Sequence, residues 1–296
     1  MKKKTLAIIV AILAVVLCFT LAACGDKPDV GDEILDKGDT NISDVVDPTD
    51  DTDATDEAPA VVEDLARIKA AGKMIIGVTI YEPMNYYADE AKTEWTGFDT
   101  EFAQAVCEKL GVDAEFFVIE WTRKFQELDA KTIDCVWNGM TITDEALANS
   151  SVSDPYIKNA QVLVMKADKL AEYTTKDSIK DLSFAVEAGS AGEAVLKDLG
   201  VENVTGVLDM SKALLEVSTG VADACVIDIT MAKSMLGEGT SYANLAYGLE
   251  LSKEEYGISC RKNSDLTAEI NKIMAEMKAD GSLQAIADKY ELNLAD

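Results

Sequence analysis

Apolar residues follow two alternating patterns along most of the chain, the spacing of amphipathic helices and the short unbroken runs of buried strands. Phe98, Phe102, Val106 and Leu110 share one helical face, and Gly111 ends that helix. Strands are predicted over residues 73–79, 114–119, 133–137, 160–166, 183–187, 224–227 and 256–261. Helices are predicted over residues 61–71, 98–110, 124–130, 192–199, 210–218 and 229–236, from residue 143, and twice more before residue 290. This alternation predicts an α/β fold with largely parallel sheets.

The N-terminus has a different pattern, a positive segment followed by an apolar run. Lys2, Lys3 and Lys4 precede apolar residues 6–19, and Leu-Ala-Ala then precedes Cys24. This pattern predicts a signal peptide over residues 1–23. The Leu-Ala-Ala-Cys segment resembles a bacterial lipobox, which would make Cys24 the lipidated first residue of the mature chain. The alternative is an uncleaved membrane anchor with an unrelated Cys, and either places the protein at the cell surface.

Residues 24–58 are acidic and poor in large apolar side chains. Between Asp26 and Glu57 there are thirteen acids and two lysines. Such a segment cannot offset the entropy lost on ordering, so we expect a disordered tether. Calcium binding by the Asp residues is the alternative, but the spacing lacks an EF-hand pattern.

Charge and composition narrow the function. The chain carries a formal net charge of -27 and has no histidine. The acidic excess argues against nucleic acid, which needs clustered Lys and Arg. Without His, the commonest general base and metal ligand are missing, and we expect no metal and no cofactor. Cys107, Cys135, Cys225 and Cys260 lie in apolar stretches without a CxxC pair; buried thiols are expected, and disulfide pairing stays open.

Five segments carry a family resemblance. In chain order they read GVTIYEP (77–83), WTGFD (95–99), IDCVWNGMTIT (133–143), SDPY (153–156) and GVADACVID (220–228). Their order and spacing over about residues 65–292 resemble the extracellular solute-binding proteins of family 3. These are polar amino-acid-binding lipoproteins of ABC importers.

The resemblance implies a two-lobe, type II periplasmic-binding-protein-like α/β fold with a hinge of two crossing strands. Lobe 1 would hold residues 59–160 and 251–296, lobe 2 residues 161–250, and the strands would cross near 159–163 and 249–253. The implied function is capture of an amino acid or similar zwitterion in the cleft for import. Partners would be an ABC permease and ATPase, with the protein a monomer that is lipid-anchored to the outer face of the cell membrane.

Three side chains are implied to contact the ligand directly. Tyr81 matches the family's aromatic residue on the ligand, and Trp121 its second aromatic. Asp228 matches the carboxylate that takes the α-ammonium group. The structural alternatives are a core tyrosine, a surface-packed tryptophan and a helix N-cap. Trp137, which neighbours Asn138 on a strand, should face away from the cleft into the core.

Two loops that precede helices are implied to supply the remaining contacts. Asn138, Gly139 and Thr141 belong to the loop that holds the α-carboxylate in the family. Free N–H groups at a helix start favour an anion there. Ser190 and Ala191 belong to the equivalent loop of the second lobe. For each loop, a plain capped turn is the alternative.

The sequence departs from the family pattern at the residue that usually binds the α-carboxylate of the ligand. Ala146 stands where the family usually carries an Arg that binds the α-carboxylate. The side chains that could replace it are Arg123 and Lys124, beside Trp121, and the helix N–H groups are a further candidate. Glu187 occupies a second-lobe position that often holds Lys or Gln. Side-chain specificity is therefore not carried over from the family.

The two other arginines, Arg67 and Arg261, are expected at the surface or at strand ends. No nucleophile is evident, and we expect a binding protein rather than an enzyme. A surface sensory or adhesive lipoprotein without a transport role is one alternative. A cyclohexadienyl-dehydratase-like enzyme is another, with Glu187 its candidate acid.

Overall fold

A computed structural model describes residues 60–296. The predicted signal peptide, the lipidation at Cys24 and the whole of the predicted tether lie outside these residues. Two five-stranded sheets and a short ribbon organise the described part of the chain.

The first sheet has the strand order β4-β1-β5-β12-β6. Its strands are β1 (Lys73–Val78), β4 (Asp113–Val118), β5 (Cys135–Val136), β6 (Ser150–Val152) and β12 (Ser259–Arg261). The second sheet has the order β11-β7-β10-β8-β9. Its strands are β7 (Ile157–Lys166), β8 (Phe184–Glu187), β9 (Val204–Val207), β10 (Ala224–Asp228) and β11 (Leu245–Tyr256). The ribbon pairs β2 (Tyr86–Tyr87) with β3 (Trp95–Thr96).

Helices connect the strands, as the alternating pattern predicts. They are α1 (Asp64–Ala71), α2 (Phe98–Leu110), α3 (Lys124–Asp129), α4 (Asp144–Asn149), α5 (Ala191–Asp198), α6 (Met210–Thr219), α7 (Ile229–Met235), α8 (Leu266–Asp280) and α9 (Ser282–Lys289). A 3-10 helix of one turn, Trp121–Arg123, precedes α3. No helix within residues 60–296 has the length and apolar content to cross a bilayer.

Both sheets are mixed, which corrects the prediction of largely parallel sheets. In the first sheet β1 runs parallel to β4 and β5, but β12 runs antiparallel to β5 and β6. In the second sheet β8 runs parallel to β9 and β10, whereas β7 is antiparallel to β10 and β11. The antiparallel strand of the second sheet, β7, is the one by which the chain enters that sheet, and β12 is the first strand after the chain has returned through β11.

The strands β7 and β11 form a long antiparallel pair that includes both predicted crossing segments. Asn159 lies opposite Glu254, and Gln161 lies opposite Ser252. Residues before β7 and after β11 supply the first sheet, and the residues from β7 through β11 supply the second. The exact lobe boundaries, 160/161 and 250/251, stay a prediction.

Helix α2 packs its apolar face on the core of the first sheet. Phe98, Phe102 and Val106 are fully buried, as the helical spacing predicts. Phe102 meets Trp137 edge to face with ring centroids 4.8 Å apart, and Phe98 stacks on Tyr156 at 6.1 Å. Trp137 is therefore a core residue, as expected from strand alternation.

Arg261 ends a strand, which is one of its two expected places, but it is buried rather than at the surface. It ends β12, which lies between β5 and β6, and only 6% of it is exposed. Its guanidinium lies 3.0 Å from Asp64. Arg67 also pairs with Asp64, at 3.0 Å. Burial alone would raise the pKa of Asp64, but hydrogen bonds from Arg261, Ser264 and Arg67 hold that pKa below its ordinary value.

The four cysteines of the described chain are buried, and their thiols are free. Cys135 and Cys260 face each other across β5 and β12. Burial raises the pKa of the Cys107 and Cys260 thiols to about 12, so they are protonated at neutral pH. Residues 60–296 contain no group of three or more His, Cys, Asp or Glu side chains placed to hold a metal.

Candidate functional site

A cavity of about 230 Å³ lies where loops of the first sheet face strand ends of the second. Nine of the eleven predicted ligand-contact residues line it, namely Trp121, Lys124, Asn138, Gly139, Thr141, Glu187, Ser190, Ala191 and Asp228. The other two, Tyr81 and Arg123, do not line it. The structure therefore brings together residues that are up to 107 positions apart, from Trp121 to Asp228.

Asn138 holds the first loop in place through its side chain. Its Oδ1 accepts hydrogen bonds from Thr79 N (3.0 Å) and Asn85 Nδ2 (2.9 Å), and its Nδ2 donates to Thr79 Oγ1 (2.7 Å). Only 3% of the residue is exposed. The side-chain amide of Asn138 therefore makes its hydrogen bonds to neighbouring protein groups and holds the loop in place.

Gly139 and Tyr81 pack directly against each other. A Cβ on Gly139 would lie 2.5 Å from Tyr81 Cε1, and Gly139 has a φ of +55°. The Tyr81 hydroxyl lies 2.5 Å from both Thr230 Oγ1 and the Tyr256 hydroxyl. Tyr81 thus supports the cavity loop from within the core, and direct contact with a ligand stays a prediction.

Lys124 supplies a buried cation to the cavity. It is 6% exposed, and its Nζ donates to the carbonyls of Gly189 (3.2 Å) and Trp121 (3.4 Å). The Nζ also lies 4.9 Å from the ring centroids of Trp121 and Phe125. Burial lowers the pKa of Lys124, and the charges of Glu145 and Glu187 oppose that shift. Of the two side chains that could replace the family's Arg, Lys124 is the one that lines the cavity.

Arg123 and Ala146 are the other two residues that the prediction connects with binding of the α-carboxylate. The Arg123 side chain is 57% exposed and lies 3.9 Å from Glu127. Ala146 lines the cavity and is buried, and its N–H donates to the Thr143 hydroxyl at 3.1 Å. Thr143 thereby caps α4.

Asp228 ends β10 at the cavity and is one of two acids held by the same amides. Its Oδ1 accepts from Gln161 Nε2 (2.8 Å) and from Asn159 Nδ2. Glu254 Oε1 accepts from Asn159 Nδ2 (2.6 Å), Gln161 Nε2 (2.8 Å) and the Thr141 hydroxyl (2.9 Å). Burial, and then the charge of Glu254, raise the pKa of Asp228 well above its ordinary value.

Sequence reasoning missed the partners of Asp228. Asn159 and Gln161 are polar residues two apart in the otherwise apolar strand β7, so they share one face. That pattern was a usable signal. Glu254 offered none, because it lies in the charged run Lys253-Glu254-Glu255.

Glu187 ends β8 at the same cavity. It is 3% exposed, and its Oε1 has no hydrogen-bond partner among the described residues. Burial, and then the charge of Asp209, raise the pKa of Glu187 to about 8, with Lys124 opposing the shift. Such a group is largely protonated at neutral pH in the unliganded protein.

The second loop begins α5 with a reciprocal cap. Ser190 Oγ accepts from Glu193 N at 3.2 Å, and Glu193 Oε2 accepts from Gly189 N at 2.7 Å. This capping box uses the acceptor side of the Ser190 hydroxyl and the Gly189 N–H. The Ser190 proton remains available to a ligand.

The sequence matches a known protein family. A sequence model of bacterial extracellular solute-binding proteins, family 3, matches residues 74–293. The L-cystine-binding protein TcyJ of Escherichia coli (strain K12) is 32% identical over 234 residues, covering 76% of this chain and 85% of that protein.

Two solved structures are similar to the described fold. A mutant of ArgBP from T. maritima has a TM-score of 0.71 at 28% identity, covering 76% of this chain and 98% of that chain. The ancestral amino acid-binding protein AncCDT-1, a precursor of cyclohexadienyl dehydratase, has a TM-score of 0.70 at 28% identity, covering 77% of this chain and 99% of that chain.

Proposed function

Because the chain belongs to the bacterial extracellular solute-binding proteins of family 3, we propose that it is the substrate-binding lipoprotein of an ABC importer. In this proposal it captures an amino acid or a similar zwitterion in the cavity between the sheets.

One observation carries the proposal, a buried cation and a buried carboxylate in the same cavity. Lys124 and Asp228 are each 6% exposed. Lys124 begins α3 beside the first sheet, whereas Asp228 ends a strand of the second. A buried charge is costly without a partner of opposite sign. A zwitterion supplies both partners at once, its α-carboxylate to Lys124 and its α-ammonium to Asp228.

The loops would complete the contacts. Gly139 and Thr141 of the first loop and Ser190 and Ala191 of the second all line the cavity. Trp121 lines the cavity and can pack on the aliphatic part of a ligand. Because the walls come from different sheets joined by β7 and β11, ligand binding would favour a closed arrangement of the two.

The relatives support the class of ligand. TcyJ is an L-cystine-binding protein, and the AncCDT-1 structure is of an amino acid-binding protein. We propose anchoring through a lipid on Cys24, placement on the outer face of the cell membrane, and a monomer that delivers ligand to a permease–ATPase complex. No chemical conversion is part of this proposal.

A thermal-shift screen of the purified chain against the amino acids and their derivatives tests ligand capture. A ligand present at a hundred times its dissociation constant adds about 2.7 kcal/mol to the free energy of unfolding. We expect at least one α-amino acid to raise the melting temperature by several degrees. A flat screen would contradict the proposal, and release of an aromatic product from prephenate or arogenate would favour an enzyme instead.

The anchor has its own test. Growth of the producing bacterium with a labelled fatty acid should label the wild-type protein and leave Cys24→Ser unlabelled. Label on the Cys24→Ser variant would place the lipid elsewhere or refute the predicted lipobox.

A further inference from the structure

Two acidic residues end neighbouring strands of the second sheet. The strands β8 and β10 are adjacent and parallel, with Phe184 opposite Ala224 and Ala185 opposite Cys225. They end in Glu187 and Asp228, respectively. Both residues line the cavity, and the charge of Glu187 acts on Asp228.

The two carboxylates differ in how the protein satisfies them. Asp228 accepts hydrogen bonds from the Asn159 and Gln161 amides. Only 3% of Glu187 is exposed, and its Oε1 has no hydrogen-bond partner among the described residues. Native proteins satisfy nearly all buried polar atoms, so an unpartnered carboxylate oxygen in a cavity wall indicates a partner that arrives with the ligand.

The charges of an ordinary zwitterion would not supply that partner. Its α-carboxylate would meet Lys124 and its α-ammonium Asp228, which leaves Glu187 without one. Lys124 is itself directed to the carbonyls of Gly189 and Trp121. A ligand that satisfies the whole cavity therefore needs a second hydrogen-bond donor, and a cationic nitrogen is the donor that a carboxylate binds most strongly.

We propose that Glu187 binds a second cationic nitrogen on the ligand, so that the cleft selects amino acids whose side chain carries its own positive charge. This inference rests on the proposed function, because it uses the same cavity and the same α-ammonium site at Asp228. It assigns Glu187 a role in specificity rather than in holding the amino-acid backbone.

Binding of a cationic ligand should change the protonation state of Glu187. The charged groups around it are Lys124, Asp209, Asp228 and, beyond Lys124, Glu145. Burial and Asp209 keep the empty-site pKa of Glu187 at about 8, so it holds a proton at pH 7. A ligand cation in contact with it would lower that pKa and release the proton. A neutral side chain would not.

Calorimetry of the full-length protein with L-ornithine and its neutral isostere L-norleucine tests the inference. We expect the wild type to bind ornithine at least tenfold more tightly. In buffers of different ionisation enthalpy at pH 7, ornithine should release close to one proton more than norleucine. Protons that Asp228 and Lys124 exchange are common to both ligands and cancel in this difference.

Glu187→Gln keeps the size and removes the charge. It should reduce the preference for ornithine to below threefold and abolish the difference in released protons, while norleucine binding shows that the variant is folded. Glu202→Gln removes a carboxylate that is exposed and does not line this cavity, and it should behave as wild type.

The outcomes separate this inference from the proposed function. Equal binding of ornithine and norleucine by the wild type, or tighter binding of L-glutamine, would overturn the role of Glu187 while amino-acid capture stands. A preference that survives Glu187→Gln would do the same. Failure of every amino acid to bind would overturn the proposed function and this inference together.

Discussion

The backbone N–H of Gly139 donates a 2.6 Å hydrogen bond to the buried carboxyl of Asp99. Asp99 belongs to the Gly-Phe-Asp segment at the start of α2, and it also accepts from the Tyr156 hydroxyl at 3.1 Å. The loop that lines the cavity is thus attached to the core of the first sheet. Changes at either residue should alter both stability and ligand binding.

Gly139→Ala should destabilise the protein by about 2–4 kcal/mol. A left-handed alanine costs about 1–2 kcal/mol, and the added Cβ would overlap Tyr81 Cε1, 2.5 Å away. Gly111→Ala is the matched control, because it has a φ of +75° and nothing lies within 4 Å of its Cβ position. Urea unfolding of both variants gives the difference. Equal losses of unfolding free energy in the two variants would show that the overlap with Tyr81 does not add to the cost of Gly139→Ala.

The unliganded protein should lose stability as pH rises from about 4 to about 7, and Asp99 should contribute to this loss. Burial raises the pKa of Asp99 to about 7 from its ordinary value of 3.8. In that interval the folded state binds more protons than the unfolded state, so raising the pH favours unfolding, by roughly 4 kcal/mol at most for this group.

Asp99→Asn should flatten that pH dependence in urea unfolding at pH 4.5, 6 and 8. Asp223→Asn is the control, because hydrogen bonds from Ser183 lower the pKa of Asp223 and its effect falls at lower pH. An unchanged slope in Asp99→Asn would mean that Asp99 is ionised in the folded protein throughout this range.

Asp228→Asn should abolish the ligand-induced thermal shift and leave the unliganded melting temperature unchanged or higher. The substitution removes a charge beside Glu254, and the new amide can still accept from Gln161 and can donate to Glu254. Ser183→Ala is a folding control far from the cavity. A collapse of the unliganded protein would instead assign Asp228 a structural role.

Arg261→Met should cost about 3–5 kcal/mol, because it leaves Asp64 buried with one cation fewer. Lys73→Met breaks an exposed ion pair with Glu115, 2.7 Å long, and should cost less than about 1 kcal/mol. Chemical denaturation distinguishes the two. Similar small losses would show that Arg67 alone can satisfy Asp64.

The sequence predicted helices better than exposed strands. Phe98–Leu110 was predicted with its bounds, since four apolar residues at helical spacing end at a glycine. The apolar pattern missed most of β11, because many of its residues are partly or fully exposed and give no apolar run; only the family resemblance predicted a crossing strand near 249–253. Spacing along the chain also contains no information on which strand lies between two others, so the burial of Arg261 could not be foreseen.

The cavity residues were largely predictable because the family resemblance assigns ligand contacts to motif positions in loops and at strand ends of both sheets. Glu254 was not, since only the β7–β11 register places it opposite Asn159. The placement of Tyr81 under Gly139 depends on a contact across 58 positions that neither residue signals by itself.

The position of β12 between β5 and β6 has a consequence for biosynthesis. Residues 259–261 complete a sheet whose other strands lie between residues 73 and 152, so an N-terminal fragment emerging from the ribosome lacks an interior strand. Such non-local pairing makes folding slow. A chain that stays incomplete until its last forty residues are made is well suited to crossing a membrane unfolded and acquiring its structure outside.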